Sequence, residues 1–422
     1  MNTHHATSSE PDETTSAPGY TRRRFVAGAA ASGVGTAIAA APWRVGDAGV
    51  APGSVSQRQG RLVVVFLRGA ADHLSVTVPL DDPDYLRLRP GIAVDPSRTL
   101  ELDGRFGLHP ALGRLHERYR AGQLAPLVTV GNPAGDRSHF VSQDLYERGS
   151  DGGGDVDDGG GWLARHLATD DGSDEPLRAV TVGSSVDASL LGYGAVGLRS
   201  ISSFGVAGLG DDAAALDAAL RVAYRGDAPL DAAAHRALDA AAAVSELRPS
   251  QQRDPELAAF DDIATLLAAD LGTEVITTSL DGWDQHTRMG DVDGGDMTDQ
   301  LAKLDTTVGG LLDAFDEHEV DDTTVLVVTE FGRRVAENGS GGCDHGWGSV
   351  ALAIGPDVLG GRVHGEWLGL DADVLGEYRG DVPALTDFRD LLGDAVEHVL
   401  DGDVDATFRG HIHRPTGVFV RS

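Results

Sequence analysis

The fold is decided by the stretch Leu62-Val63-Val64-Val65-Phe66-Leu67, which is followed at once by Arg68-Gly69-Ala70-Ala71-Asp72-His73. Six consecutive apolar residues, rich in valine, are typical of a strand that is buried on both faces of a sheet. Four further runs share this character, and amphipathic segments at 110–121 and 297–318 lie before the second and the fourth strand. This alternation predicts an α/β protein with a mostly parallel sheet that is covered by helices on both faces. The further runs are Ala125-Pro126-Leu127-Val128-Thr129-Val130, Glu274-Val275-Ile276-Thr277-Thr278, Thr324-Val325-Leu326-Val327-Val328 and Val350-Ala351-Leu352-Ala353-Ile354.

The composition excludes several classes of protein. The chain has 422 residues, a formal charge of −32 and one cysteine, Cys343. A single cysteine supports neither a disulfide framework nor a cysteine-zinc site. Strong acidity disfavours nucleic acids and anionic lipid surfaces as partners, because both carry negative charge. Lys303 is the only lysine among 34 basic residues. This composition indicates a halophilic surface adapted to high salt, although GC-rich coding drift also replaces lysine by arginine.

Residues 1–41 are typical of a twin-arginine signal peptide. Thr21-Arg22-Arg23-Arg24-Phe25-Val26 is followed by a weakly apolar run that ends near Ala41. The run is shorter than the roughly 20 residues that span a bilayer, so we expect no stable membrane span in the mature chain. The sequence therefore predicts a folded protein that is exported by the twin-arginine translocase to the periplasm, the cell surface or the medium. Residues 42–60 are interpreted as a linker and 61–422 as a single domain.

Two segments interrupt the alternation of strands and helices. Residues 149–161 consist almost entirely of glycine and aspartate, which bury little surface, so they predict a solvated loop. Residues 211–247 are rich in alanine, with apolar residues at helical spacing. They predict two helices inserted between strands as a cap or lateral layer.

Polar residues lie beside every predicted strand. Ligands of open parallel sheets bind beyond the carboxyl ends of the strands, so we expect these residues to converge. Nitrogen and oxygen donors of this kind suit zinc, or manganese and magnesium where oxygens prevail, and one or two such ions support hydrolysis. A lone aspartate in such a loop is more often a helix cap than a metal ligand, and a structural calcium site is a further possibility. The stretches are Arg68 to His73, Gly131 to His139, Ser279 to His286, Thr329 to Arg334, and Asp344-His345-Gly346 just before the fifth strand.

Ser138 is the candidate nucleophile. It precedes the plausible helix 139–147, so its hydroxyl would lie at a helix N-terminus, where the dipole favours an anion. An ordinary serine N-cap is the alternative. Arg137, with Arg68 beside the first strand, could bind an anionic substrate group, or could form surface ion pairs in so acidic a chain.

These motifs together resemble a known family of exported proteins of unknown function, DUF1501. The resemblance runs in order over about residues 61–400 and implies a distant branch of the alkaline phosphatase and sulfatase superfamily. The motifs that carry it are Leu67 to Asp72, Phe106-Gly107-Leu108-His109-Pro110-Ala111-Leu112, Arg137-Ser138-His139-Phe140, Gly282-Trp283-Asp284-Gln285-His286, Thr329-Glu330-Phe331-Gly332-Arg333 and Gly342-Cys343-Asp344-His345-Gly346.

The resemblance implies two metal positions and a serine nucleophile. Carried over, Asp72, Ser138 and Glu330 would belong to one position, and Asp284, His286 and His345 to the other. The chain departs from the superfamily pattern at three places, which are the short spacing of Asp284 and His286, Phe331 after Glu330 where a histidine is usual, and the additional carboxylate of Asp344. These departures imply either one metal ion or a degenerate site.

The sequence thus predicts an exported, metal-dependent hydrolase of small anionic phosphate or sulfate esters, in which Ser138 attacks and Arg137 stabilises negative charge. The alternative is a non-catalytic exported protein that keeps the fold for binding.

Overall fold

The structure is a computed structural model that describes residues 60–153, 160–169, 175–205, 212–252 and 254–420. The predicted signal at 1–41 lies outside the described residues. So do residues 42–59 of the predicted linker and residues 154–159 of the predicted loop. No helix within the described ranges is long and apolar enough to cross a bilayer.

Strands form two sheets. They are β1 (Arg61–Arg68), β2 (Thr77–Pro79), β3 (Leu100–Glu101), β4 (Phe106–Leu108), β5 (Leu124–Gly131), β6 (Ala179–Val182), β7 (Val196–Leu198), β8 (Val275–Asp281), β9 (Thr323–Val328), β10 (Ser349–Ile354) and β11 (Thr386–Asp387). The main sheet has the order β11-β5-β10-β9-β1-β8-β6-β7, and β2-β4-β3 form a small antiparallel sheet.

All five predicted strands are present, as β1, β5, β8, β9 and β10, and the α/β class with a mostly parallel sheet is confirmed. One strand runs against the others, because β10 is antiparallel to both β5 and β9. The segment between β9 and β10 contains no helix that could return the chain to the opposite edge of the sheet, so the chain turns back directly.

Helices cover both faces of the main sheet. They are α1 (His73–Val76), α2 (Pro83–Leu88), α3 (Gly113–Arg120), α4 (His139–Arg148), α5 (Trp162–Thr169), α6 (Ala213–Ala223), α7 (Pro229–Val244), α8 (Pro255–Ala268), α9 (Asp296–Glu317), α10 (Ala372–Glu377), α11 (Phe388–His398) and α12 (Val404–Thr407). The helices α6 and α7 lie where the sequence predicts two helices at 211–247.

The alternation of side chains along β1 divides the core in two. Val63 and Val65 pack with residues of α3, α8 and α9 on one face. Val64 and Phe66 pack with residues of α4, α5 and α11 on the other. Because every residue from Leu62 to Leu67 is buried, β1 is a central strand with no face in water.

The direction of β10 determines what lies at the functional edge of the sheet. Residues that follow β1, β5, β8 and β9 reach this edge because those strands are parallel. Residues that precede β10 reach the same edge because β10 is reversed. Five loops therefore meet at one edge.

Candidate metal centre

Three histidines and one aspartate meet at this edge, and we call them the imidazole–carboxylate cluster. His139 is the first residue of α4, shortly after β5. Asp284 and His286 lie in the loop after β8, and His345 lies in the loop before β10. Residues of this cluster that come from different loops are at least 59 positions apart in the chain. Their proximity is therefore a property of the fold rather than of local sequence.

The ligand atoms of the cluster have the spacing of a metal site. Nε2 of His139 lies 3.0 Å from Nε2 of His345. Oδ1 of Asp284 lies 3.4 Å from each of these nitrogens. Ligands of a tetrahedral zinc ion, with bonds of about 2.0–2.1 Å, lie about 3.3 Å apart. The three atoms therefore fit one face of a zinc tetrahedron.

His286 stands at the margin of this triangle. Its Nε2 lies 3.0 Å from Nε2 of His345 and 3.0 Å from Oδ1 of Asp284. Its side chain is 42% exposed, which makes it the most open of the three imidazoles. His286 therefore faces the side from which solvent or a ligand enters.

The hydrogen bonds of the opposite ring nitrogens determine which nitrogens can bind a cation. Nδ1 of His139 donates to Oε1 of Glu330 at 2.7 Å, and Nδ1 of His345 donates to the carbonyl of Arg137 at 2.8 Å. Nδ1 of His286 donates to Oδ1 of Asp344 at 3.2 Å. Carboxylate and carbonyl oxygens only accept, so each Nδ1 carries a proton and each neutral ring presents its Nε2 lone pair to the others. Lone pairs this close repel each other unless a cation lies between them.

The acceptor behind His139 is itself held rigidly. The Glu330 side chain is completely buried, and its Oε1 also accepts hydrogen bonds from Gln143 Nε2 at 2.8 Å and from the Gly69 backbone at 2.9 Å. Burial opposes ionisation of Glu330, but the hydrogen bonds from His139 and Gln143 lower its pKa below the usual range. The same hydrogen bond raises the pKa of His139. Carboxylates in this outer position orient ligating imidazoles and increase their basicity.

Arg333 neutralises the carboxylate of the cluster. Its Nη2 donates to Oδ1 of Asp284 at 2.6 Å, and its side chain is almost completely buried. Its remaining donors bind backbone carbonyls, including those of Ala70 and Cys343. Partial burial opposes ionisation of Asp284, but the hydrogen bond and charge of Arg333 lower its pKa to about 2. Asp284 is therefore ionised before any metal binds.

Close backbone packing brings the loops together. Gly69, at the end of β1, has a φ of 115°, and a Cβ there would lie 2.5 Å from the backbone nitrogen of Asp284. A Cβ on Gly342 would lie 2.3 Å from the backbone carbon of His286. Only glycine permits these approaches.

Three of the six predicted metal ligands, Asp284, His286 and His345, lie in the cluster. Glu330 and Asp344 lie one hydrogen bond behind it, where they accept from histidines. Asp72 does not join it, because its completely buried carboxylate pairs with Arg89, with an Nη2–Oδ1 distance of 2.8 Å. In this structure the carboxylate of Asp72 is a partner in a buried ion pair, and its predicted role as a metal ligand stays a prediction.

The predicted catalytic residues flank the cluster. Ser138 is exposed and immediately precedes His139, and its side chain makes no capping hydrogen bond to α4. The guanidinium of Arg137 pairs with the buried carboxylate of Asp381, while its carbonyl holds His345. Arg68, the other candidate for binding an anion, is paired with Glu147 and Asp187.

Sequence reasoning missed two members of the site, His139 as a ligand and Arg333 as the partner of Asp284. His139 stands in the motif Arg137-Ser138-His139-Phe140, and Arg333 ends the motif Thr329-Glu330-Phe331-Gly332-Arg333. The signal for His139 was its position in a polar loop after a buried strand, the same signal that selected Asp284 and His286.

One comparison with known proteins identifies a family. The model of a family described as "Protein of unknown function (DUF1501)" matches residues 59–418. No curated protein matches the chain in sequence.

Solved structures give weaker likenesses. The chain is similar to the C-terminal periplasmic domain of EcEptC from Escherichia coli, in complex with Zn, at 9% identity and a TM-score of 0.33, over 71% of this chain and 73% of that one. It is also similar to the lipoteichoic acid synthase LtaP from Listeria monocytogenes, at 9% identity and a TM-score of 0.33, over 72% and 67% of the two chains.

Proposed function

The chain belongs to the DUF1501 family, as its motifs predict, and we propose that it is a metal-dependent hydrolase of phosphate or sulfate esters that binds one divalent ion. One observation carries this proposal. The Nε2 atoms of His139 and His345 and Oδ1 of Asp284 lie within 4.8 Å of one another, and both Nδ1 atoms are bound to acceptors. We also propose that the family is a distant branch of the alkaline phosphatase and sulfatase superfamily.

The donor set favours zinc. Two imidazoles and one carboxylate are typical of catalytic zinc sites, which keep a further position open for substrate. An ion bound here would act as a Lewis acid on an ester oxygen. The site offers negative charge for a single ion, because the carboxylate of Asp72 is paired with Arg89 and that of Asp284 is already neutralised by Arg333.

Ser138 is the proposed nucleophile. Its Oγ would form a bond to phosphorus or sulfur while the bond to the alcohol oxygen of the ester breaks. The departing alcohol takes up the serine proton, and water then hydrolyses the serine ester. The position of Ser138 at the N-terminus of α4 favours the negative charge of the transferred group.

His286 is the proposed proton carrier. It is the most exposed imidazole of the cluster, and Asp344 fixes its Nδ1. A histidine oriented by a carboxylate is a common general base. Arg137 is proposed to stabilise the transferred anion from beside Ser138.

The test combines metal analysis with turnover. Zinc should copurify with the full chain at one ion per molecule and be lost in His345→Ala. Ser138→Ala and His286→Ala should retain zinc but lose turnover of aryl phosphate or aryl sulfate by at least about a hundredfold. A protein that contains zinc but has no turnover would favour the non-catalytic binding alternative, and a protein without zinc would refute the metal centre.

Export and salt adaptation are further proposals from the sequence. We propose that residues 1–41 direct export through the twin-arginine translocase and that the acidic surface suits high salt. Replacement of Arg22 and Arg23 by Lys should keep the protein in the cytoplasm, and refolding without salt should fail if the surface is adapted to it.

A further inference from the structure

A stripe of three polar side chains, His139, Gln143 and Glu147, lies on one face of α4 at a spacing of four residues. His139 belongs to the imidazole–carboxylate cluster, whereas Gln143 and Glu147 lie further along the helix and outside the cluster. Each of the three is hydrogen-bonded to Glu330 after β9, to Arg68 at the end of β1, or to both. The stripe therefore connects the cluster to residues that the proposed reaction does not use.

The connection is an unbroken chain of hydrogen bonds. Nδ1 of His139 donates to Oε1 of Glu330 at 2.7 Å, and Nε2 of Gln143 donates to the same oxygen at 2.8 Å. The amide oxygen of Gln143 in turn accepts from Nη1 of Arg68 at 3.1 Å. Arg68 thus lies two hydrogen bonds behind Glu330 and three behind the imidazole of His139.

Arg68 is fixed in place at the far end of this chain. Its Nη2 donates to Oδ2 of Asp187 at 3.0 Å and also to the carboxylate of Glu147. The side chains of Asp187 and Glu147 are 8% and 9% exposed, so both carboxylates are nearly buried. The guanidinium carbon lies 4.8 Å from the centre of the Phe66 ring. Two buried carboxylates and an aromatic ring leave this guanidinium little freedom to turn.

The donors and acceptors along the chain permit one arrangement of the Gln143 amide. An arginine only donates hydrogen bonds, so Gln143 turns its oxygen to Arg68 and its nitrogen to Glu330. The ionised carboxylate of Glu330 only accepts, so it receives one proton from Gln143 and one from Nδ1 of His139. With the amide reversed, two oxygens would face each other between Gln143 and Glu330 without a proton, which is unfavourable inside a protein.

We propose that Arg68 and Gln143 are positioning residues of the metal centre, which fix the tautomer of His139 through Glu330. The inference rests on the proposed function, because an ion can bind Nε2 of His139 only when the ring proton is on Nδ1. Arg68 acts here through the direction of its donors. Its positive charge alone would weaken the binding of a cation. The sign of the effect of Arg68 on zinc affinity therefore distinguishes positioning from simple electrostatics.

The test measures zinc affinity and the tautomer of His139 in the full chain. Gln143→Met preserves the size of the side chain, removes both hydrogen bonds and leaves the ion pairs of Arg68 intact. Its zinc affinity should fall about tenfold in a competition titration with a chromophoric chelator. In the zinc-free proteins, long-range ¹H–¹⁵N correlation spectra of ¹⁵N-labelled histidine should show the Nδ1–H form of His139 in the parent and a mixture of both tautomers in the variant.

Two further variants supply the control and the sign. Gln123 also accepts from an arginine, Arg118, at 3.3 Å, but it lies just before β5 at the other edge of the sheet. Gln123→Met should therefore leave the zinc affinity and the tautomer unchanged. Arg68→Met should weaken zinc binding about fivefold, although it removes a positive charge. If Arg68→Met does not fold without its ion pairs, Gln143→Met decides the proposal by itself.

The outcomes separate this inference from the proposed function. A folded Gln143→Met that keeps the zinc affinity of the parent would refute the role of Gln143. Weaker zinc binding with an unchanged tautomer would refute it as well, because the loss would then come from packing. Equal or tighter zinc binding by Arg68→Met would refute the role of Arg68. If the parent binds no zinc, the proposed function fails, whereas the tautomers of the zinc-free proteins still test the inference.

Discussion

Replacing Glu330 by Gln should weaken zinc binding by a factor of about 10–100, or about 1.4–2.8 kcal/mol, without unfolding the protein. The carboxylate accepts from His139, Gln143 and Thr329 at 2.7, 2.8 and 3.0 Å. A glutamine has the same size and can donate to the Thr329 hydroxyl, which keeps the Leu67 carbonyl as its own acceptor. The variant therefore removes the negative charge behind His139 while the packing is preserved.

The loss of affinity should depend on pH in a defined direction. Glu330 raises the pKa of His139, so zinc competes with a proton at His139 Nε2 in the parent protein. In the variant this proton is bound less tightly. The difference in zinc affinity between the parent and Glu330→Gln should therefore be largest near pH 8 and smaller near pH 6. A competition titration with a chromophoric zinc chelator at constant high salt measures both values.

A matched control lies at the other edge of the sheet. Glu274 is also buried and accepts from His166 at 3.0 Å and from Arg178 at 2.6 Å, but it precedes β8, whereas Asp284 follows that strand. Glu274→Gln makes the same chemical change and should leave the zinc affinity unchanged. If folded Glu330→Gln binds zinc as tightly as the parent at pH 8, the proposed role of Glu330 in orienting His139 as a ligand is wrong.

Three further predictions concern stability, measured by denaturant unfolding at constant salt. Gly69→Ala should lower the free energy of unfolding by at least about 2 kcal/mol, because φ is 115° and the new Cβ would collide with backbone atoms. Gly113→Ala, where the new Cβ meets no atom, should change it by less than about 1 kcal/mol. Asp72→Asn should lower the free energy of unfolding by about 3 kcal/mol, because it leaves Arg89 buried without its charged partner. The zinc affinity should not change in this variant. Weaker zinc binding would instead indicate that Asp72 is a ligand. Burial raises the pKa of Glu147 to about 7 in the folded protein. The contribution of Glu147 to the free energy of unfolding is therefore fully present below pH 4.5 and is lost as the pH rises through 7. Glu147→Gln should remove up to about 3 kcal/mol of that dependence, and an unchanged pH profile would contradict this.

Much of the sheet could be predicted because buried strands leave a strong pattern. The run Leu62 to Leu67 is apolar throughout since both faces of β1 are covered. The strands β5, β9 and β10 are likewise buried along their whole length and are mostly apolar. The direction of β10 was not predicted, because an antiparallel central strand is as apolar as a parallel one. The available signal was the helix-free segment 329–348, which is too irregular for a crossover.

The site was predicted in part because strand ends mark it, but the partner of each polar residue depends on tertiary structure. Asp72 and Asp284 both follow strands. Arg89 binds Asp72 in a buried ion pair away from the cluster, whereas Arg333 neutralises Asp284 and leaves it within the cluster. Arg89 comes from the chain just after α2, and no spacing in the sequence relates it to Asp72. The roles of Glu330 and Asp344 likewise depend on which atoms of His139 and His286 face them.

The guanidinium beside Asp284 has a consequence for the protein when the proposed metal position is empty. Arginine keeps its charge at any pH that a folded protein tolerates, and chelators cannot extract it. Withdrawal of a cation from the proposed centre would therefore leave Asp284 paired with Arg333.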